Sequence, residues 1–133
     1  MNSIVEMKKR GYRITKPRLE ILKSLTSHPL SAQEIFEVLQ KKSVHLDLAS
    51  VYRTLELLVN MSLVYVIDLG EDKRRYELAD PKNHHHHIIC NTCGTIEDIQ
   101  IQETHFLKEV YAKSTFKIDH HHLEFFGICN NCQ

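Results

Sequence analysis

The sequence predicts an α+β protein: an N-terminal winged helix-turn-helix domain followed by a small C-terminal α/β dimerisation domain. Three observations point there. Residues 15–60 carry three consecutive helical apolar periods, and a hairpin pattern follows them directly. Residues 80–83 (Asp-Pro-Lys-Asn) are polar and turn-forming. Eight of the ten histidines and all four cysteines lie beyond residue 60, where Asp and Glu outnumber Lys and Arg by 11 to 7; residues 1–60 carry 10 basic against 6 acidic side chains. The formal net charge of zero is therefore the sum of a basic and an acidic half, which suggests two tasks. Predicted boundaries are 1–79 for the first domain, 80–83 for a hinge and 84–133 for the second.

The first helix opens after Thr15, a residue able to N-cap, with Pro17 tolerated in the first turn. Leu19, Leu22 and Leu25 give it an apolar side, and His28-Pro29 ends it. Ser31 followed by Glu34 is a capping box. Ile35, Phe36, Val38 and Leu39 then recur at helical spacing. Asp47 can cap a third helix, in which Leu48, Val51, Tyr52, Leu55, Leu58 and Val59 keep a 3.6-residue period. That period leaves Ser50, Arg53 and Thr54 off the apolar stripe. Residues 63–67 and 74–78 read as strands around a turn containing Gly70. Three helices and a two-stranded wing place the third helix in a DNA major groove; a plain helical bundle with a hairpin is the alternative.

Beyond the hinge, strands are expected at 88–90, 95–101 and 123–128. A helix is expected at 103–113, with Phe106, Leu107, Val110 and Tyr111 on one face. Such short strands leave open edges that a second copy of the chain would cover.

Two CxxC knuckles, Cys90/Cys93 and Cys129/Cys132, carry the clearest chemistry. With no signal-peptide pattern at the start, a reducing cytoplasm is expected, and four thiolates at this spacing suit a closed tetrahedral zinc site. Redox pairs or buried free thiols are the alternatives. In the run 84–87, four successive histidines would alternate faces on an extended chain. His84 and His86 then serve one site, and His85 and His87 another. Further ligands must come from Glu77, Glu97, Asp98, Glu103, His28, His105 or His120–His122.

Composition excludes several classes. With 42% hydrophobic and 26% charged residues the chain reads as an ordinary soluble protein. No apolar run of ~18 residues exists to cross a membrane. Catalytic signatures are missing too: there is no HExxH, no nucleophile elbow and no glycine-rich phosphate loop. A zinc-dependent hydrolase or a metal-storage protein using the His and carboxylate cluster is the rival reading.

Together these residues resemble the ferric uptake regulator family of bacterial metal-responsive repressors. The resemblance rests on Gly11-Tyr12-Arg13-Ile14-Thr15-x-Pro17-Arg18, Ser50-Val51-Tyr52-Arg53-x-Leu55 and Arg75-Tyr76-Glu77. It continues through His84–His87 into Cys90-x-x-Cys93-Gly94 and ends with Gly127-x-Cys129-x-x-Cys132. It implies a homodimer that binds an AT-rich palindromic operator in double-stranded DNA when loaded with metal. It implies structural zinc on the four cysteines and a regulatory site of His28, Glu77, His85, His87 and Asp98. An additional site would use His84, His86, His105 and His121. The regulatory ion is left open between Fe2+, Zn2+ and Mn2+, and a peroxide-sensing member is an alternative. His86 and His105 stand where many iron-sensing relatives carry acids, and an all-imidazole set favours zinc. Arg13, Lys16, Arg18, Ser50, Tyr52 and Arg53 are the expected DNA contacts: Tyr52 and Arg53 at base edges, Arg13 in a narrow minor groove, Lys16 and Arg18 on phosphates.

Overall fold

The structure is a computed structural model. It describes residues 2–25, 28–70, 73–79, 84–118 and 121–133, in two compact units, Met1–Ala79 and Asp80–Gln133. The expected hinge at 80–83, part of the hairpin turn (71–72) and His120 lie outside the described residues.

In the first unit the order is α1 (Asn2–Lys9), α2 (Lys16–Ser24), α3 (Ala32–Lys41), α4 (Leu48–Asn60), β1 (Val64–Asp68) and β2 (Arg74–Leu78). Each of the three sequence-predicted helices begins at its cap. The Thr15 hydroxyl accepts the Arg18 N–H at 3.3 Å. Ser31 and Glu34 make both bonds of the capping box, at 3.1 Å each. Asp47 accepts the Ser50 N–H at 2.7 Å. These bonds satisfy amide donors that have no partner within the helix. The apolar stripes then converge. Ile21, Leu22, Ile35, Leu39, Val51, Leu55 and Leu58 are each at most 1% exposed. Full burial of one such side chain is worth about 1.5–3 kcal/mol relative to exposure.

One element was not anticipated. Helix α1 precedes the capped helices and inserts Met7, 0% exposed, into the same core. The wing pairs antiparallel from Val64↔Leu78 to Asp68↔Arg74. Leu30 adds a short third pairing to Tyr76, through amide bonds of 3.0 and 2.7 Å. An ion pair from Arg75 to Glu34 ties β2 to the start of α3. The wing is thus fastened to the helix that braces α4.

The second unit contains β3 (His86–Cys90), β4 (Ile96–Ile99), α5 (Thr104–Lys113) and β5 (Glu124–Gly127). The strands pair with each other in the order β4-β3-β5. Among the described residues the outer edges of β4 and β5 have no neighbour in this sheet, the open edges expected from such short strands. β3 runs antiparallel to β4 and parallel to β5. A parallel pair needs a long crossover, and α5 lies within it. β3 starts at His86, two residues before the expected strand, because the histidines pair in register with Ile99 and Asp98. Helix α5 buries none of its residues, and Val110, Tyr111, Phe116, Phe125, Phe126 and Ile128 are 42–79% exposed.

Candidate metal centre and nucleic-acid interface

The central strand β3 supplies or adjoins each ligand cluster among the described residues of the second unit. At its end, Cys90 and Cys93 form the first knuckle. The chain reverses through Gly94, whose positive φ of 76° is a conformation that favours glycine, and the Gly94 N–H donates to the Cys90 carbonyl at 2.9 Å. Parallel pairing of Cys90 with Gly127 brings in the second knuckle, Cys129 and Cys132. All four are free thiols, with sulfurs within 4.8 Å of one another. Cys93 Sγ and Cys129 Sγ are 3.7 Å apart. Tetrahedral zinc with Zn–S bonds of ~2.3 Å requires sulfurs about 3.8 Å apart, so the four residues fit the ion.

The electrostatics agree. Backbone N–H groups of Cys129 and Cys93 pull the Cys90 thiol down to about 6. Cys132 is pushed up to about 12, chiefly because its proton is held by the sulfurs of Cys129 and Cys93. Crowded thiolates resist losing every proton, and a divalent cation removes that resistance.

Alternation along the chain divides the histidine run. His84 and His86 meet His121 and Glu103 on one side. His84 Nε2 lies 3.3 Å from His121 Nε2 and 3.0 Å from Glu103 Oε1, and His121 Nε2 lies 3.0 Å from Glu103 Oε2. His86, 2% exposed, also pairs with Glu103, and its Nδ1 accepts the Leu123 N–H at 3.1 Å. Burial opposes ionisation of Glu103, but hydrogen bonds from His86, His121 and His84 outweigh it and hold the carboxyl at about 2. At neutral pH this is one anion facing three imidazoles. These spacings match the edges of a tetrahedron with bonds of ~2.1 Å, so this set also fits a zinc-like ion.

His105 is not in that group. It is exposed in the first turn of α5, and Glu103, immediately before the helix, takes the fourth position. Residues two apart on a helical backbone point about 200° apart, so Glu103 and His105 cannot face one ion. The set is three imidazoles and a carboxylate, and the all-imidazole expectation is corrected accordingly.

On the other side stand His85, His87 and Asp98. The two imidazole rings are 5.0 Å apart, and Asp98 Oδ1 lies 3.9 Å from His85 Nε2 and 3.6 Å from His87 Nε2. The β3–β4 register explains this: Asp98 is the direct cross-strand partner of His87. Glu97, one residue earlier, is exposed and projects to the opposite face. In the first unit, His28 is exposed just before the bridging residue Leu30, and Glu77 lies in β2 next to the bridged Tyr76. His122 is exposed.

The expected DNA contacts all lie in the first unit. Helix α4 presents Tyr52, 49% exposed, together with exposed Arg53, while Val51, Leu55 and Leu58 face the core. Tyr52 is thus at the surface and not a core aromatic. Arg53 Nη2 donates to Ser50 Oγ at 2.7 Å. Arg13 and Lys16 are exposed around the start of α2. Arg18 is half-buried, and its Nη1 donates to the Arg13 carbonyl at 2.8 Å, bracing the segment that carries Arg13.

A winged helix-turn-helix joined to a unit dense in metal ligands is the organisation of a metal-responsive transcription regulator. The model of the ferric uptake regulator family matches residues 9–126, and the chain belongs to that family. A ferric uptake regulation protein of Synechococcus elongatus is 36% identical over 136 residues, covering 96% of this chain and 90% of its own length. A peroxide-responsive repressor of Staphylococcus aureus is 31% identical, covering 98% of this chain and 89% of its own length. Among solved structures, the Helicobacter pylori ferric uptake regulator, described with three functional metal-binding sites, matches with a TM-score of 0.78 at 33% identity. That match covers 96% of this chain and 87% of that one.

Proposed function

We propose that this protein is a cytoplasmic, homodimeric repressor that binds an AT-rich palindromic operator when metal occupies its regulatory site, and that it catalyses no reaction. One observation carries this reading. The tetrapeptide 84–87 splits its imidazoles between two ligand groups while the same chain exposes Tyr52 and Arg53 on a winged-helix reading helix.

In this reading the four cysteines hold structural zinc and fix the end of the chain against β3. The closed thiolate set leaves no position for a substrate. His85, His87 and Asp98 are the part of the regulatory site contributed by the second unit, with His28 and Glu77 contributed by the first. Ligands drawn from both units make ion binding sensitive to domain arrangement. A preference for the DNA-competent arrangement of about 1–3 kcal/mol changes occupancy by roughly 5–150-fold. Carboxylates in this set accommodate Fe2+ or Mn2+ as well as Zn2+, whereas the three imidazoles around Glu103 favour Zn2+. The exposed aromatic and aliphatic side chains of α5 and β5 supply the dimer surface.

His87→Ala tests the reading. The variant is expected to keep its thiolate-bound zinc and its dimer while losing metal-dependent operator binding, followed by fluorescence anisotropy. Loss of the thiolate-bound zinc in this variant would place His87 in the wrong site.

A further inference from the structure

Ser50 sits in the first turn of the reading helix, between a carboxylate and a guanidinium. Asp47 caps α4 in an extended conformation (φ −83°, ψ 163°), and its Oδ1 accepts the Ser50 N–H at 2.7 Å. Hydrogen bonding to Ser50, with the nearby charge of Arg53, lowers the Asp47 pKa against an opposing burial effect. On its other side Ser50 Oγ accepts the Arg53 Nη2–H at 2.7 Å. A serine hydroxyl has one proton and two lone pairs. One lone pair is committed to Arg53.

We propose that Ser50, set in the first turn of α4 by the Asp47 cap, is a positioning residue that holds the Arg53 guanidinium for base reading and does not itself read a base. The inference rests on the DNA-binding reading above and deepens it. Residues three apart on a helix share a face, so the tether forms within α4 alone. Arginine carries five N–H donors, and only one is used on Ser50. The remaining fork can pair with the O6 and N7 acceptors of a guanine, the commonest specific arginine contact. Fixing one rotamer of a long side chain before contact reduces the freedom lost on binding.

The test uses the full-length, metal-loaded protein. A randomised duplex library first defines the sequence the unmodified chain selects. Affinity for that duplex and its single base-pair variants is then measured for Ser50→Ala, Ser50→Thr, Arg53→Ala and the Ser50→Ala/Arg53→Ala double variant. Ser50→Ala is expected to lower discrimination by roughly fivefold or more, at the same base pairs as Arg53→Ala. Ser50→Thr, which keeps the hydroxyl, restores it, and the double variant is no worse than Arg53→Ala alone. Thermal unfolding stays unchanged because the bond from the Ser50 amide to Asp47 survives. The inference is overturned if Ser50→Ala leaves discrimination intact. It is equally overturned if the two single variants act at different base pairs and their effects multiply. A chain that selects no sequence at all would overturn the DNA-binding reading itself, a separate outcome from either of these.

Discussion

Glu103 and His105 make opposite predictions for the same site, and substituting each in turn separates them. Glu103→Gln keeps the size and the polar contacts of the side chain but removes its charge. That charge is fully present at neutral pH, since the three histidines hold the carboxyl at about 2. Two unit charges ~4 Å apart interact by about 4 kcal/mol at an effective dielectric of ~20. A ligand oxygen lies closer to a divalent ion, and dehydration of both partners offsets much of the gain. A net loss of about 3 kcal/mol is expected, which is roughly a 100-fold weaker site. His105→Ala removes an exposed side chain outside the ligand group, so its effect should stay within about 0.5 kcal/mol. Competition titration against a chromophoric chelator, with the thiolate-bound zinc counted separately by native mass spectrometry, reads both. A His105→Ala chain that loses the ion while Glu103→Gln retains it would refute the geometric assignment.

Three further outcomes follow from the packing and the caps. Leu55→Ala removes a side chain with 0% exposure from the centre of α4, and should cost about 2–5 kcal/mol in thermal unfolding. A loss near zero would mean the core closes differently. Ser31→Ala breaks the capping box whose Glu34 also holds Arg75, and should cost about 0.5–2 kcal/mol by denaturant titration. An unchanged midpoint would show the cap to be idle. In the metal-free chain, Glu103 lies below its ordinary value of 4.5, at about 2. Its ionisation therefore adds stability above pH 4.5 that is lost as pH falls toward 2. Glu103→Gln should flatten that acid limb of the stability–pH curve, and a limb unchanged in the variant would locate the effect in other carboxylates.

Much of the first unit was legible because local signals agreed with one another. Thr15, Ser31 and Asp47 each cap the helix whose apolar period begins just after them. Helix α1 escaped because its apolar pattern is short; its place is set by tertiary burial of Met7. In the second unit, alternation along 84–87 was readable from strand geometry alone, and it divides the imidazoles as the period of two requires. The fourth ligand beside His84, His86 and His121 was not readable in the same way. Choosing between Glu103 and His105 depends on where α5 begins, and helix boundaries are the least certain feature of a sequence pattern. The β4-β3-β5 order was likewise hidden, because pairing across residues 90–127 leaves no local trace.

The central claim is that metal, not bulk charge, controls DNA binding. A chain with a formal net charge of zero has little general attraction for phosphate, so occupancy should follow metal-dependent geometry. The direct measurement is fluorescence anisotropy of a labelled operator duplex at fixed ionic strength. The protein retains its thiolate-bound zinc throughout, and is titrated with and without added regulatory ion. At least tenfold tighter binding with the ion, about 1.4 kcal/mol, is predicted. Equal affinity in the two conditions, with zinc and dimer intact in both, would contradict the account.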